Sequence, residues 1–219
     1  MTRYTVNNRN TLLSIPWYVT VLTVTDNSCN EDNINFLRSV VIGNNCFHYV
    51  QVFSIVGLNW LESVSIGYRS FDSSTLVDGS QFKIVNCPQL KSLSIGGWSF
   101  GRYNGFELSQ LPQLKSVVVS HYNNGYGTYY GSFVYTRNAV FRDLPSLETI
   151  DLGNDVFQNA EYELNISDLP KLTVLRLRSY CLVGSTSTKT TDVIPYYYKN
   201  TLIMRSMYVN SSNHQIYHL

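Results

Sequence analysis

Charge is scarce in this sequence. Only 14% of its 219 residues are Asp, Glu, Lys or Arg, and the 16 basic and 15 acidic side chains nearly cancel; about a quarter is usual for a soluble domain. Such a balance provides no electrostatic footprint for nucleic acid or an anionic membrane surface. Long apolar runs are lacking as well, and no stretch approaches the ~18 residues of a membrane span. The opening MTRYTVNNRNTLLS has neither the charged start nor the continuous apolar stretch of a leader, so none is expected. A soluble chain follows, of undetermined compartment: cytoplasmic by default, with a fragment of a cell-surface protein as the alternative. Cysteines number four, Cys29, Cys46, Cys87 and Cys181, with no C-x-x-C pair and no histidine at zinc-ligand spacing. No phosphate-cradling glycine loop occurs, and no segment carries a helical stripe of three turns. No cofactor or metal is implied.

What the sequence does have is a repeat. Opening leucines recur at Leu37, Leu61, Leu90, Leu114, Leu147 and Leu172, at spacings of 24, 29, 24, 33 and 25. The two long spacings resolve into insertions. Phe47 to Phe53 and Phe100 to Phe106 are steps of six, whereas Phe71 to Phe82 is eleven, so five extra residues lie there and 29 − 5 = 24. In the fourth unit Ser132-Phe133 comes nine residues late, and 33 − 9 = 24. The clearest unit is Leu90-x-x-Leu93-x-Ile95-Gly96-x-x-Ser99-Phe100, then Phe106-x-Leu108, then Leu111-Pro112-x-Leu114.

Each opening Leu-x-x-Leu-x-Ile reads as a short strand that cannot bury its apolar face alone. Stacked on its neighbours it forms a parallel sheet over a continuous core, with each fully buried side chain contributing about 1.5–3 kcal/mol. Gly43, Gly67, Gly96 and Gly153 are expected to turn the chain through positive φ. The column Phe47, Phe71, Phe100, Phe133 and Phe157 should stack into an internal spine. A second alternation, Phe53-x-Ile55, Phe82-x-Ile84, Phe106-x-Leu108 and Leu164-x-Ile166, forms extended segments opposite. Cys87-Pro88, Leu111-Pro112, Leu144-Pro145 and Leu169-Pro170 then turn the chain back. Cys87 and Cys181 fall in columns otherwise held by Leu or Phe and read as buried thiols; Cys46 takes a place held elsewhere by Ser.

The ends are weaker. Residues 1–14 read as a loose lead-in, 15–210 as one repeat domain with clear units over about 37–182, and 211–219 as a tail. Val19-x-x-Leu22-x-Val24 fits the opening frame as a degenerate cap, Ser185–Thr191 reads as a polar loop, and Met204-x-x-Met207-x-Val209 as a terminal capping row. Asn165-Ile-Ser167 and Asn210-Ser-Ser212 match the glycosylation sequon.

Leu-x-x-Leu-x-Ile at a 24-residue period resembles the leucine-rich-repeat family, with Gly where that family's commonest pattern has Asn or Cys after the strand. The Ser-Phe and Leu-Pro-x-Leu-Lys-Ser signatures are similar to divergent repeats of protist and bacterial surface-type proteins, including the BspA-like group. The resemblance implies a mainly β, curved solenoid with a parallel sheet on its concave face, short extended segments opposite and little or no helix. It also implies binding of proteins or glycans rather than catalysis.

Two places could carry such binding. The outward columns of the opening strands are mostly small and hydroxylic: Ser39, Ser63, Ser92, Ser116, Thr149 and Val174, then Val41, Ser65, Ser94, Val118, Asp151 and Arg176. At about 4.8 Å per strand, seven rows span about 29 Å. Asp151 and Arg176 are neighbours in one column, placed to pair with each other or to meet a ligand. The richer place is the insertion from His121 to Phe133, where Tyr122, Tyr126, Tyr129 and Tyr130 alternate with glycines as in binding loops. Trp98, one row earlier, and Tyr180, two rows on, extend that patch. The bland alternative is a tolerated polar loop.

An enzyme is the contrasting hypothesis, since polysaccharide-degrading β-helices place carboxylates on a sheet face. Glu148, Asp151 and Asp155 share one unit and could serve as acid and base. His48, His121, His214 and His218 fix no triad spacing. A third reading is a structural solenoid, a piece of a longer array that self-associates through its terminal repeats.

Overall fold

The computed structural model describes residues 3–6, 21–25, 37–73, 76, 78–123, 125, 129–158, 163–167, 169–178, 180–181, 188–191 and 202–204. Strands are the only regular elements among them, so no helix there is long and apolar enough to cross a membrane. The strands fall into two parallel sheets, and from Ser39 to Met204 the chain places its strands in them by turns. This arrangement is compatible with a β-solenoid.

The opening sheet has seven strands: β3 (Ser39–Ile42), β5 (Ser63–Ile66), β7 (Ser92–Ile95), β9 (Ser116–Val119), β13 (Thr149–Leu152), β15 (Val174–Leu177) and β17 (Leu202–Met204). The second sheet has eight: β1 (Arg3–Val6), β2 (Val21–Thr25), β4 (Val52–Val56), β6 (Gln81–Val85), β8 (Gly105–Ser109), β12 (Asn138–Arg142), β14 (Glu163–Ser167) and β16 (Thr188–Thr191). A small antiparallel pair, β10 (Tyr122–Asn123) and β11 (Tyr129–Tyr130), stands apart.

Register follows the repeat columns. Val40, Val64, Leu93, Val117, Ile150 and Leu175 are successive partners, as are the outward Val41, Ser65, Ser94, Val118, Asp151 and Arg176. In the second sheet Phe53, Phe82, Phe106, Ala139 and Leu164 align. The fourth unit's contribution, Ala139-x-Phe141, exchanges the usual large-then-medium pair for a small-then-large one, and Phe141 restores an aromatic contact to Phe106 at 5.0 Å.

The Phe column forms the predicted spine. Phe71, Phe100, Phe133 and Phe157 are fully buried, and ring centroids along the series from Phe47 lie 5.2, 4.6, 5.0 and 5.4 Å apart, all stacked. A second stack, Phe53, Phe82 and Phe106, meets the first edge-on, as where Phe82 approaches Phe100 at 5.0 Å and 76°. All five spine Phe residues have φ between 54 and 57°. A left-handed backbone costs a bulky L-residue about 1–2 kcal/mol. Full burial of the ring plus stacking outweighs that, so each turn is held by what it buries.

The glycines act differently from expectation. Gly43, Gly67, Gly96 and Gly153 are not among the positive-φ residues; Asn45, Arg69, Trp98, Asp155 and Tyr180 hold the left-handed position beside the Phe column. A Cβ on Gly43 would meet only the Cys46 sulfur, at 3.8 Å. At Gly67, Gly96 and Gly153 glycine is required for close approach instead: a Cβ on Gly96 would fall 2.4 Å from the Tyr68 nitrogen and 2.6 Å from the Gly67 carbonyl carbon. The chain needs the missing side chain, because successive rows touch backbone to backbone there.

Serine completes the turn. Ser70, Ser99 and Ser132 are fully buried. The Ser99 hydroxyl donates to the Gly67 carbonyl at 3.0 Å and accepts from the Ser70 N–H at 3.1 Å, and Ser70 and Ser132 do the same for their preceding rows. A buried serine ladder thus satisfies backbone groups between rows. Cys181 belongs to this ladder and not to a Leu or Phe column: its thiol donates to the Gly153 carbonyl, and burial pushes it up to about 12. Cys87 keeps its expected place in the buried Leu column.

The ends depart from the sequence reading. Arg3–Val6, within the expected lead-in, is a strand paired in parallel with β2. Val21–Thr25 joins the second sheet, with Leu22 opposite Phe53 and Val24 opposite Ile55, instead of capping the opening sheet. Both sheets read as period-2 alternation, so pattern alone does not choose between them. Thr188–Thr191, expected as loop, pairs with β14; β-branched threonines suit a ladder whatever their polarity. The last strand aligns Leu202 and Met204 with Leu175 and Leu177, five residues ahead of the register expected from Met207 and Val209. Cys29 and the tail 211–219 lie outside the described residues.

Candidate functional site

From Ser39 to Leu177 every irregularity of the repeat lies in one corner. From the second sheet back to the opening sheet, residues 57–62, 86–91, 110–115, 143–148 and 168–173 each make a connection of six. From the opening sheet to the second, the connections 43–51, 67–80, 96–104, 120–137 and 153–162 have 9, 14, 9, 18 and 10 residues. The insertions of five and nine expected from the spacing are therefore both outgoing, and they share the outside of that corner.

The longer insertion folds back on the wall beneath it. In the β10–β11 pair Tyr122 stands opposite Tyr130. Tyr122 stacks on Tyr68 at 5.2 Å and Tyr130 on Trp98 at 4.3 Å, while the Trp98 backbone N–H donates to the Tyr130 carbonyl at 3.1 Å. The Arg69 guanidinium, from the row before, lies 4.7 Å from the centre of the Trp98 ring. Trp98 is thus a clamp for the hairpin root rather than a free platform. Tyr68, 36% exposed, is the outermost described ring of the group. Tyr126 lies outside the described residues, as does the side chain of Tyr129.

Asp151 and Arg176 do come together. The Arg176 guanidinium donates to one Asp151 oxygen at 2.5 Å, and Arg178 lies 3.7 Å from the other. These charges satisfy one another between neighbouring rows, which is the structural use of the pair. They adjoin the hairpin through His121: burial holds that imidazole below the ordinary histidine range, helped by Arg178 and opposed by Asp151. Tyr180 is exposed at its own turn. The carboxylates weighed for catalysis are separated in role, since Asp151 is ion-paired on the sheet face and Asp155 sits around the corner.

Behind the hairpin lies a surface hollow of about 320 Å³ lined by Trp98, Tyr130, Tyr135, Asp72, Arg102, Val134, Asp155, Gln158 and two glycines, Gly101 and Gly131. Burial raises both Asp72 and Asp155 above the usual carboxylate range; for Asp72 the nearby His48, Arg69 and Arg102 work against it. The Arg102 guanidinium lies over Tyr135 at 5.3 Å. Among the described residues, no group of three or more His, Cys, Asp or Glu side chains is placed to hold a metal ion.

Sequence reasoning passes over Asp72, Arg102 and Tyr135. Their signal is present, because the position after each spine Phe holds His48, Asp72, Gly101, Val134 and Gln158, a column that faces outward at the corner where insertions gather. Comparison of the chain with protein-family models, curated protein sequences and solved structures gave no match.

Proposed function

We propose that this chain is a divergent leucine-rich-repeat-like solenoid working as a non-catalytic recognition module, which takes a protein or glycan partner at the hairpin corner. The observation that carries the reading is the ordered root of the Tyr/Gly insertion. Four rings from three rows, Tyr68, Trp98, Tyr122 and Tyr130, gather into one half-exposed surface. Aromatic side chains with few torsions and a polar tip provide contact area at low entropic cost. A tolerated loop would have no reason to be held at its root by stacking on Tyr68 and Trp98. The hydroxylic sheet face supports the reading less well, since its charged members are paired with each other.

The test is a pull-down and a glycan array with the intact chain, with a Tyr68→Ser, Tyr122→Ser variant that strips the ring surface, and with a variant in which residues 124–128 are replaced by Gly-Gly. A recognition module at this corner loses at least about tenfold in partner affinity, with its thermal midpoint held. Partner binding that survives both variants with unchanged affinity would remove the hairpin from the interface.

A further inference from the structure

We propose that the hollow beside the hairpin is a saccharide subsite, in which Asp72, Asp155 and Arg102 hydrogen-bond sugar hydroxyls against the wall formed by Trp98 and Tyr130. The inference rests on the recognition reading above and names the ligand class for its deepest part.

The hollow is floored where Gly101 lacks a side chain and the next row presses close at Gly131. In the column after the spine Phe, Gly101 stands between Asp72 and Val134. Two residues before the spine Phe, Gly131 stands between Trp98 and Asp155 without sharing their positive φ, so close to the next row that a Cβ would fall 2.1 Å from the Asp155 carbonyl oxygen. The row of Gly101 thus lacks a side chain where its neighbours carry Asp72 and Val134, and that gap is the floor of the site, closed on one side by the Asp155 backbone packed against Gly131. At about 320 Å³ it is near the lower end of small-ligand sites, which run to ~300–1,000 Å³. That is room for a sugar ring rather than for a folded segment of protein.

The lining selects chemistry. Neither the Asp72 nor the Asp155 carboxylate accepts a hydrogen bond from the described residues, although burial penalises both. They present acceptor oxygens to a ligand rich in O–H donors. Arg102 supplies the complementary donors. His48, Arg69 and Arg102 lie close enough to Asp72 to counter its charge, so the strongest electrostatic demand of that carboxylate is met within the wall and its oxygens are left to accept from hydroxyl donors. Tyr135 and Val134 add apolar surface to the lining, against which the C–H groups of a ligand can pack. A neutral ligand with hydroxyls on its rim and C–H faces satisfies all of these at once. Because burial works against both carboxylates, replacing them by amides should not cost the fold, and Asn tolerates the left-handed backbone of Asp155 at φ 60°.

The experiment measures binding of the full chain to an array of neutral oligosaccharides, covering glucan, chitin, mannan, galactan and xylan fragments, with sialylated and sulfated glycans as controls. Two variants accompany it. Asp72→Asn with Asp155→Asn removes the charges. Gly101→Gln refills the floor with the side chain Gln158 already places in that column; a Cβ at Gly101 would meet only the end of the Asp72 side chain, at 3.3 Å. The expected result is binding to at least one neutral oligosaccharide, weakened at least about tenfold by either variant with an unchanged thermal midpoint. Silence across the neutral array, preference for the anionic controls, or affinity indifferent to Gly101→Gln would each overturn the subsite. A protein partner that depends on residues 124–128 but ignores Gly101→Gln would overturn it while leaving the recognition module standing. Sugar binding indifferent to the 124–128 replacement would do the reverse, keeping the subsite and removing the hairpin.

Discussion

The chain passes between its two sheets by two corners that obey different rules. Between β4 and β15 the return corner has six residues in all five cases. Its buried Leu58, Cys87, Leu111, Leu144 and Leu169 accept, through their carbonyls, the N–H of the opening leucine three residues on, at 3.0–3.4 Å. In four of the five, Pro follows at once and presets φ for that turn. This corner is fixed along the chain, by local hydrogen bonding and proline, and has no slack. The outgoing corner runs from 9 to 18 residues and is fixed from within, by Ser hydroxyls between rows and a stack of Phe rings. Because its constraints point inward, its outside is free to vary in length and residue type. The candidate site is there.

That contrast can be broken from the inside first. Phe100→Ala removes a ring that stacks on both neighbours in the spine and meets Phe82 edge-on, and should cost about 3–5 kcal/mol in denaturant unfolding. A loss below about 1 kcal/mol would contradict an aromatic interior. Ser99→Ala comes next, since it strips the Gly67 carbonyl and the Ser70 N–H of their partner in a buried place; the cost expected is about 1–3 kcal/mol. Ser99→Cys should recover part of it, as Cys181 already fills the same place in the ladder. The smallest effect tests the two corners against each other. Two glycines added within residues 124–128 should change stability by less than about 0.6 kcal/mol, the scale of loop-closure entropy. The same two placed between Pro112 and Gln113 interrupt the hydrogen bond from the Leu114 N–H to the Leu111 carbonyl and should cost about 1–3 kcal/mol. Equal effects at the two places would erase the distinction.

How much of this is legible in the sequence depends on whether a feature repeats. The strands, the inward and outward columns, the Phe spine and the two insertions are all readable, because a register of one row over the next converts sequence spacing into spatial neighbourhood. The serine ladder is visible only as a column; that it reaches across to the Gly43, Gly67 and Gly96 carbonyls is a matter of distance between rows. For the glycines the sequence suggests the wrong reason, since it cannot separate a residue needed for positive φ from one needed for close approach. At the ends, Val21–Thr25 and Leu202–Met204 depart from expectation, one in its sheet and the other in its register, because a single alternating segment without repeated neighbours fits more than one partner.

At the site the division is similar. Trp98, Tyr122 and Tyr130 stand out by composition and placement, but their mutual stacking, which turns Trp98 from a contact residue into a clamp, is a tertiary fact. Asp151 and Arg176 are adjacent in a column of the repeat, and the fold closes them into an ion pair. The sequence by itself determined the parallel sheets, the periodic core and the corner at which variation collects, since each follows from a spacing of 24 and the alternation of a strand. Only the tertiary structure decided what the variable corner builds: a hairpin folded onto its own wall, and a hollow floored at Gly101 and closed where the next row presses on Gly131. Those depend on which way side chains from different rows lean and how closely backbones approach, and a linear spacing carries neither.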